Sequence, residues 1–269
     1  MERALGLMAG AGVLPGRAAG EAARRGWRVV AFAFDDAPAL AAHAEAVIPS
    51  RLDEIQAVLE QLAARRVSAA LFVGKFPKQR VFAHRGGVVD EAARGLAREG
   101  LSDEALGGMV VATLQALGIE VLDQRDFLSP WVAPAGVLTA RAPAPAEWAE
   151  IRAGFALARA LAAFGIGQTV VRSLGVTVAL EAIEGTDATI RRGTGLAGPG
   201  AVVIKAVAPA QDYRFDMPTV GPATIAAMAE GGATALAIEG GKVLLVDGVE
   251  IIRRADGAGI AVVSVDEPR

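Results

Sequence analysis

Cysteine is absent from the 269-residue chain, and histidine occurs only twice, as His43 and His84. Without cysteine the protein can form no disulfide, no thiolate nucleophile and no cysteine-ligated zinc centre. Two histidines are also too few for a histidine-rich metal site. A bound metal would therefore be held by oxygen ligands, which suit Mg²⁺.

An excess of positive charge is missing as well. Lysine and arginine together number 27 against 30 acidic residues, the formal net charge is -3, and the sequence pI is about 5.6. Because no Lys/Arg cluster is interleaved with aromatic residues, the chain lacks the electrostatic footprint of a nucleic-acid-binding protein. We therefore expect a small-molecule substrate and no nucleic-acid partner.

Long hydrophobic runs do not occur either. The first apolar stretch, Leu5–Val13, is interrupted by glycine and is too short to span a bilayer. No basic segment with a small-residue cleavage site precedes it, as a secretory signal would require. We expect a cytoplasmic protein, which can still contact the inner membrane surface peripherally.

The residues that are present indicate an α/β protein. Hydrophobic residues make up 53% and charged residues 21%, with 32 glycines and 13 prolines, as is typical of compact folds. In the first half, strands alternate with helices, which predicts a parallel sheet covered on both faces. The predicted strands are Leu5–Ala9, Trp27–Phe34, Ala69–Val73 and Ile119–Leu122, and the predicted helices are Val13–Arg25, Leu52–Arg65 and Asp103–Leu117.

A proline-rich stretch from residue 123 to residue 145 interrupts the periodicity and indicates a domain boundary. We predict a Rossmann-like N-terminal domain at 1–125, a linker and helix at 126–165, and a C-terminal catalytic α/β domain at 166–269. The second half is predicted to contain helices Ala146–Phe164 and Ala223–Glu230 and strands Gln168–Arg172, Val176–Ala182, Ala201–Val207, Ala235–Ile238, Lys242–Val246 and Ile260–Val265.

The opening stretch "LGLMAGAGVLPGRAAGEAARRGWRVVAFAFDD" almost matches a dinucleotide-binding fingerprint. Gly10 and Gly12 occupy the first two glycine positions, but Pro15 stands where the third would be. Asp35 follows the second predicted strand, where NAD enzymes have a ribose-binding acid. Two interpretations are open: a nucleotide site, for example in an NAD(P)-binding oxidoreductase, or a tight βα turn followed by a solvated loop.

Carboxylates and cations are concentrated in the second half, in "EAIEGTDATIRR" and "IKAVAPAQDYRFDMPTVG". Carboxylates suit Mg²⁺ and cations suit phosphate oxygens, so the mixture fits chemistry on a phosphoanhydride. The carboxylates are Glu184, Asp187, Asp212 and Asp216, and the cations are Arg191, Arg192, Lys205 and Arg214.

These residues also have a purely structural interpretation. Thr186 can be a helix N-cap, with Asp187 as a first-turn acid and Arg191 as its i,i+4 partner. Lys205 can extend its amine from a strand end. From the residues alone, the structural and the catalytic interpretations are both open.

The motifs taken together resemble one known family. "AGAGVLP" at 9–15, "GIGQ" at 165–168, "EAIEGTDATIRR", "QDYRFDMPTVG" and the linker stretch "LSPWVAPAGVLTARAPAPAEWAEIRAGFALARAL" are similar to the LpxI-type UDP-2,3-diacylglucosamine pyrophosphatases. The resemblance covers essentially the whole chain. It implies a Mg²⁺-dependent hydrolase of lipid A biosynthesis that releases UMP and 2,3-diacylglucosamine 1-phosphate (lipid X), with water attacking the phosphorus nearer uridine.

The resemblance also implies site residues. The catalytic aspartate of the family's "RFDxPxxG" motif falls on Asp216, and Asp187 and Glu184 are further catalytic candidates. Asp216 and Asp187 are the candidate Mg²⁺ ligands. The candidate substrate-binding residues are Gly10, Gly12, Val13, Leu14, Gly74, Gln168, Thr186, Lys205, Gln211, Asp212, Arg214 and Thr219.

Two stretches depart from the family pattern. The family's "GDDxLL" is replaced by residues 102–106, "SDEAL", and the stretch "KFPKQRVFAHRGG" after Gly74 is also divergent. The expected partner is a lipid-linked nucleotide sugar, with Trp131 and Val132 as candidate membrane contacts and a homodimer supported by alanine-rich helices. The alternatives are an NAD(P)-binding oxidoreductase and a non-catalytic nucleotide-sugar-binding protein.

Overall fold

The computed structural model of the protein describes residues 3–76 and 103–266. The chain divides into two compact units. The N-terminal unit comprises Met1–Ser129 and Asp212–Asp216, and the C-terminal unit comprises Pro130–Gln211 and Met217–Arg269. The predicted α/β class with two domains is confirmed. A short segment from the second half of the sequence nevertheless packs in the first unit.

A parallel five-stranded sheet forms the centre of the N-terminal unit, in the order β3-β2-β1-β4-β5. The strands are β1 (Ala4–Ala9), β2 (Arg28–Ala33), β3 (Ala46–Pro49), β4 (Ala69–Val73) and β5 (Glu120–Val121). The helices are α1 (Leu14–Arg24), α2 (Ile55–Ala64), α3 (Asp103–Ala116) and the short α4 (Arg125–Leu128), with 3₁₀ turns at Pro38–Ala42 and Ser129–Trp131.

Burial explains why these sequences form a parallel sheet. Every residue of the central strand β1 is buried, as expected when both faces of a strand are covered. Met8 packs in an apolar cluster with Val58 of α2 and Leu114 of α3. The alanine-rich α1 contacts β1, β2 and β4. It ends before Gly26, whose φ of 78° supplies the left-handed conformation typical of a helix end.

Strand β3 was not predicted from the sequence. It lies at the edge of the sheet, its residues alternate between partly buried and exposed, and it ends in Pro49. Proline is tolerated in sheets mainly at such edges. Its apolar run "AVIP" has only four residues and ends in proline, so it is shorter than the runs by which β1, β2 and β4 were recognised.

A mixed six-stranded sheet forms the centre of the C-terminal unit, in the order β6-β13-β11-β9-β7-β8. The strands are β6 (Gly136–Val137), β7 (Thr169–Ser173), β8 (Val176–Leu180), β9 (Val202–Lys205), β11 (Ala235–Glu239) and β13 (Ala261–Val265), with β10 (Thr219–Val220) and β12 (Leu244–Leu245) forming a separate parallel pair. The helices are α5 (Pro145–Ala163), α6 (Thr186–Ala197), α7 (Pro222–Glu230) and α8 (Gly248–Gly257).

Helix α5 is a packed element of the C-terminal unit. Its buried residues Ile151, Phe155 and Ala158 recur at helical spacing and join Val170 and Ile204 in the core. It lies within the stretch 126–165, which was predicted to be a linker and helix, and it contacts β7 and β9.

The structure also differs from the predicted elements in the second half of the chain. The predicted strand Lys242–Val246 is reduced to the two residues of β12. Helix α8 was not predicted, because glycines stand at both of its ends. Gly185 occupies the N-cap position of α6, so Thr186 is the first helical residue and the prediction of Thr186 as N-cap was wrong.

No helix within the described ranges is long and apolar enough to cross a lipid bilayer. His84, Ser102 and most of the divergent stretch after Gly74 lie outside the described residues.

Candidate functional site

The glycine turn after β1 crosses the loop that follows β4. The N–H of Gly10 donates to the Val73 carbonyl at 2.9 Å, and Ala11 and Lys75 exchange backbone hydrogen bonds of 2.9 and 3.0 Å. The crossing lies where the strand order reverses, because β1 is followed by β2 on one side and neighbours β4 on the other. In open α/β sheets, ligands bind at this point, outside the carboxyl ends of the strands.

Close backbone approach explains two of the predicted glycines. A Cβ on Gly10 would lie 2.7 Å from the Lys75 carbonyl oxygen, and a Cβ on Gly74 would lie 2.8 Å from the Ala11 carbonyl oxygen. Gly74 also has a φ of 100°. Both positions therefore require glycine to let the two loops cross. Gly12, with a φ of 104°, faces open space and needs glycine only for its backbone conformation.

Helix α1 begins directly after this turn. Val13 is at its N-cap position, and Leu14 and Pro15 form its start. The apolar side chain of Val13 is exposed and cannot accept a hydrogen bond, so the helix start offers backbone N–H groups to a ligand. Gly16, one residue after Pro15, packs closely on the 3₁₀ turn Pro38–Ala42, because a Cβ there would lie 2.8 Å from the Ala39 side chain.

The predicted ribose acid Asp35 lies in an exposed position after β2. Its Oδ1 accepts a hydrogen bond of 2.7 Å from the N–H of Asp36. The contact organises the turn that follows the strand. The geometry is compatible with the solvated-loop interpretation given above.

The motif segment 212–216 packs within the N-terminal unit. The N–H of Gln124 donates to the Tyr213 carbonyl at 3.0 Å, and the Arg125 guanidinium lies 4.2 Å from the centre of the Tyr213 ring. Asp212 accepts two side-chain hydrogen bonds from Arg214, at 2.9 Å from Nε and 2.7 Å from Nη2. The Arg214 hydrogen bonds hold the pKa of Asp212 below its ordinary value. Asp212 and Arg214 therefore form a pair.

Phe215 anchors the end of this segment. Its ring centroid lies 5.2 Å from that of Phe72, and a Cβ on Gly107 of α3 would lie 2.9 Å from the Phe215 ring. Phe34 and Phe76 extend the aromatic cluster, with centroids 5.6 Å apart. Phe215 thereby fixes the backbone of Asp216, whose side chain is exposed.

A buried polar cluster in the C-terminal unit joins three predicted substrate-binding residues. The Lys205 ammonium donates to the Thr186 hydroxyl at 2.9 Å, and that hydroxyl donates to Glu181 Oε1 at 2.9 Å. The N–H of Gln168 donates to Glu181 Oε2 at 3.2 Å. Lys205 and Glu181 are 5% and 9% exposed. The structure thus brings Gln168, Thr186 and Lys205 together around Glu181, which the sequence analysis missed.

Glu184 is held by a cation at the surface of the C-terminal unit. Its Oε1 accepts a hydrogen bond of 2.6 Å from Arg192, and its Oε2 accepts one of 3.1 Å from the N–H of Ala182. The hydrogen bond from Arg192 lowers the pKa of Glu184. The carboxylate is therefore an ordinary ion-pair partner at neutral pH.

Asp187 contacts helix α7 rather than its own helix. The Thr224 hydroxyl donates to Asp187 Oδ1 at 2.9 Å. Arg191 forms an ion pair with Glu230 at 2.9 Å. This contact replaces the expected i,i+4 pair between Arg191 and Asp187.

Gln211 and Thr219, two further predicted residues, make local contacts. The N–H of Gln211 donates to the Ala208 carbonyl at 3.1 Å, and the Thr219 hydroxyl donates to the Met217 carbonyl at 2.8 Å. These bonds shape the turns before and after the motif segment.

Glu239 is a second buried carboxylate that the sequence analysis missed. It is fully buried at the carboxyl end of β11. Its Oε1 accepts hydrogen bonds from Arg159 at 2.9 Å and Lys242 at 2.6 Å, and its Oε2 accepts one from the N–H of Val207 at 2.9 Å. Burial by itself raises the pKa of a carboxyl group, but these donors outweigh it, and the pKa of Glu239 is lowered. The sequence contained one signal for this residue, namely an acidic side chain directly after the apolar run "ALAI".

The carboxylates fit a metal that is shared with a ligand better than an all-protein metal cage. Within residues 3–76 and 103–266, no three His, Cys, Asp or Glu side chains converge as a metal site. Mg²⁺ commonly uses one or two carboxylates together with substrate phosphates. The exposed Asp216 and the partly buried Asp187 are each compatible with such a role.

Comparison with known proteins gives a consistent result for both units. The family model of the LpxI N-terminal domain matches residues 4–131, and that of the LpxI C-terminal domain matches residues 134–263. The UDP-2,3-diacylglucosamine pyrophosphatase LpxI of Caulobacter vibrioides is 32% identical over 280 residues, which cover 98% of each chain. The chain therefore belongs to the LpxI family.

Proposed function

We propose that the protein hydrolyses the diphosphate of UDP-2,3-diacylglucosamine in lipid A biosynthesis. The observation that carries this proposal is the 32% identity, over 98% of both chains, to a UDP-2,3-diacylglucosamine pyrophosphatase. In the reaction, water adds to one phosphorus and one P–O bond of the anhydride breaks. The products are UMP and 2,3-diacylglucosamine 1-phosphate, and we propose that water attacks the phosphorus nearer uridine.

The predicted site residues have chemistry that suits this reaction. The start of α1 offers backbone N–H groups, and Lys205 and Arg214 are cations suited to phosphate oxygens. Asp216 is an exposed carboxylate on a backbone held by Phe215. We propose that Asp216 orients the attacking water. We propose that Asp187, in the first turn of α6, and Glu184, which precedes that helix, are further catalytic residues.

We further propose that the reaction depends on Mg²⁺, with Asp216 and Asp187 as its candidate ligands. When bound, the ion neutralises charge on the diphosphate oxygens. The carboxylate of Asp187 would have to share its oxygens between the ion and the Thr224 hydroxyl, which donates to it at 2.9 Å. Asp216 has the more accessible side chain of the two.

The lipid substrate also implies a place of action. A diacyl sugar resides in a membrane, so we propose a cytoplasmic protein that contacts the inner membrane surface peripherally. We also propose that its alanine-rich helices support a homodimer. The predicted contacts Trp131 and Val132 are only partly exposed. Phe164 and Ile183, with exposures of 79% and 88%, are better placed to enter a lipid surface. Light scattering and binding of Ile183→Ser to vesicles would test the assembly and the contact.

The reaction is tested by incubating the purified protein with UDP-2,3-diacylglucosamine in detergent micelles, with Mg²⁺ and H₂¹⁸O. We expect UMP release and ¹⁸O in UMP, whereas ¹⁸O in the sugar phosphate would place the attack on the other phosphorus. EDTA should abolish turnover, and added Mg²⁺ should restore it.

Two outcomes would favour the alternatives. Tight NAD(H) binding without UMP release would indicate an oxidoreductase, although Pro15 at the third glycine position disfavours it. Binding of the nucleotide sugar with no products would indicate a protein without catalytic activity.

A further inference from the structure

Glu181 is a buried carboxylate that joins two loops of the C-terminal unit. Its Oε2 accepts the N–H of Gln168, and its Oε1 accepts the Thr186 hydroxyl. The backbone packs equally closely, because a Cβ on Gly167 would collide with the Glu181 carbonyl group. The carboxylate is therefore part of a rigid junction between the start of β7 and the start of α6.

The chemistry of the donors and acceptors fixes the direction of the hydrogen bonds that join Lys205, Thr186 and Glu181. A carboxylate only accepts and an ammonium only donates. The single hydroxyl proton of Thr186 is therefore directed to Glu181, and its lone pairs accept the hydrogen bonds donated by Lys205 and, at 3.4 Å, by the Thr169 hydroxyl. Without the carboxylate, the Thr186 hydroxyl could rotate and would cease to be a dedicated acceptor.

This order of bonds positions the ammonium of Lys205, the last residue of β9. Gln168 contributes to the same arrangement, since its carbonyl accepts the N–H of Ala206, directly after Lys205, at 3.0 Å. Lys205 is thus positioned through its backbone by Gln168 and through its side chain by Thr186. Both of these residues are held by Glu181.

We propose that Glu181 is a positioning residue that acts through Thr186 on Lys205, and that the Lys205 ammonium contacts a phosphate of the substrate. The inference rests on the proposed function, since it concerns a nucleoside diphosphate bound at the same site. Glu181 itself contacts no substrate. Replacing Glu181 should therefore weaken substrate binding only in a protein that retains Lys205.

A double-mutant cycle on the binding of UDP tests this dependence. Dissociation constants would be measured by calorimetry for the wild type, Glu181→Gln, Lys205→Met and the double variant. We expect Glu181→Gln to weaken UDP binding about tenfold, or about 1.4 kcal/mol, in the wild-type background and to have no further effect in Lys205→Met. Glu250→Gln, which removes a carboxylate from an ion-pair cluster on α8, is the matched control and should bind UDP like the wild type.

Thr186 provides a second test if Glu181→Gln melts at a much lower temperature than the wild type. Thr186→Ser keeps the hydroxyl and should restore UDP binding relative to Thr186→Val, which keeps the shape and should weaken binding about tenfold, as Glu181→Gln does. An equal effect of Glu181→Gln in both backgrounds would overturn the inference. Failure of the wild type to bind UDP, or loss of binding in Thr186→Ser, would overturn it too. Intact coupling in a protein that does not hydrolyse UDP-2,3-diacylglucosamine would reject only the proposed function.

Discussion

The candidate site residues of the two units differ in how they act. In the N-terminal unit, Gly10 and Gly74 act through their lack of a side chain, because the loops after β1 and β4 cross at backbone distance. In the C-terminal unit, Thr186, Lys205 and Glu181 act through side chains linked by hydrogen bonds. The candidate residues of the first unit therefore matter because they leave room for the backbone. Those of the second unit matter because of their charges and the directions of their hydrogen bonds.

This difference predicts two kinds of sensitivity to substitution. Positions governed by space should fail by steric collision and lose stability. Substitutions of the charged residues should reduce binding or activity, or should remove the partner of a buried charge. Asp216 is an exception, since it is a charged candidate that packs with the N-terminal unit.

Asp216→Asn should have the largest effect and tests that exception directly. The substitution keeps the shape of the side chain and removes its charge, while Pro218 still restricts the backbone of Met217. If Asp216 orients the attacking water as proposed, it acts on charge that develops in the transition state, and kcat should fall on the order of a hundredfold or more. The measurement is UMP release alongside thermal melting.

An aspartate that merely caps a turn would behave differently. Asparagine caps about as well as aspartate, so near-normal turnover of Asp216→Asn would remove Asp216 from the catalytic residues. Phe215→Leu is a useful companion variant, because it loosens the anchor of the segment against Phe72 while keeping the carboxylate. It should reduce kcat less than Asp216→Asn does.

Local features of the fold could be predicted from the sequence, and long-range ones could not. The strand Ala69–Val73 and the helix end at Gly26 follow from apolar runs and from glycine conformation, which depend on neighbouring residues. The packing of 212–216 in the N-terminal unit depends on Phe215 meeting Phe72, more than a hundred residues away. No local pattern contains that contact.

The same limit applies to the candidate site. Lys205 and Thr186 were recognised as polar residues within motifs that resemble a family. Glu181 and Glu239 were missed, because their roles depend on which side chains the sheet brings to them. Arg159, the partner of Glu239, lies on α5, 80 residues away in the sequence.

Glu239→Gln should cause the largest loss of stability. It removes the buried charge that Arg159 and Lys242 bind. Because these two side chains are 35% and 44% exposed and stay partly solvated, we expect a loss of about 1.5–3 kcal/mol, as for hydrogen bonds to charged groups. Chemical denaturation would measure the change in the free energy of unfolding. Because the pKa of Glu239 is lowered in the folded protein, its contribution is present above the ordinary pKa of 4.5 and is lost as the pH falls below it. Equal stability of variant and wild type at pH 7 would contradict the prediction.

Gly74→Ala should have an intermediate effect and tests the role of space in the N-terminal unit. The new Cβ would meet the Ala11 carbonyl oxygen at 2.8 Å, in addition to the strain at a φ of 100°. Gly26→Ala is the matched control, since Gly26 has a φ of 78° with open space around it. We expect about 1 kcal/mol of destabilisation at Gly26 and more at Gly74. Equal losses would show that only backbone conformation matters at Gly74.

Glu250 should show the smallest effect, and it sharpens the comparison with Glu239. Each carboxylate binds two cations, but Glu250 does so at the surface of α8, with Arg253 at 2.7 Å and Arg254 at 2.6 Å. These arginines lower the pKa of Glu250 to about 2. Solvent screens such pairs, so Glu250→Gln should change the melting temperature far less than Glu239→Gln does.

An NMR titration of the Glu250 carboxyl should give a midpoint well below 4.5 that rises toward this value as salt is added, because the Debye length shrinks to about 3 Å at 1 M. A midpoint near 4.5 at low salt would mean that the two arginines do not hold the carboxylate in solution.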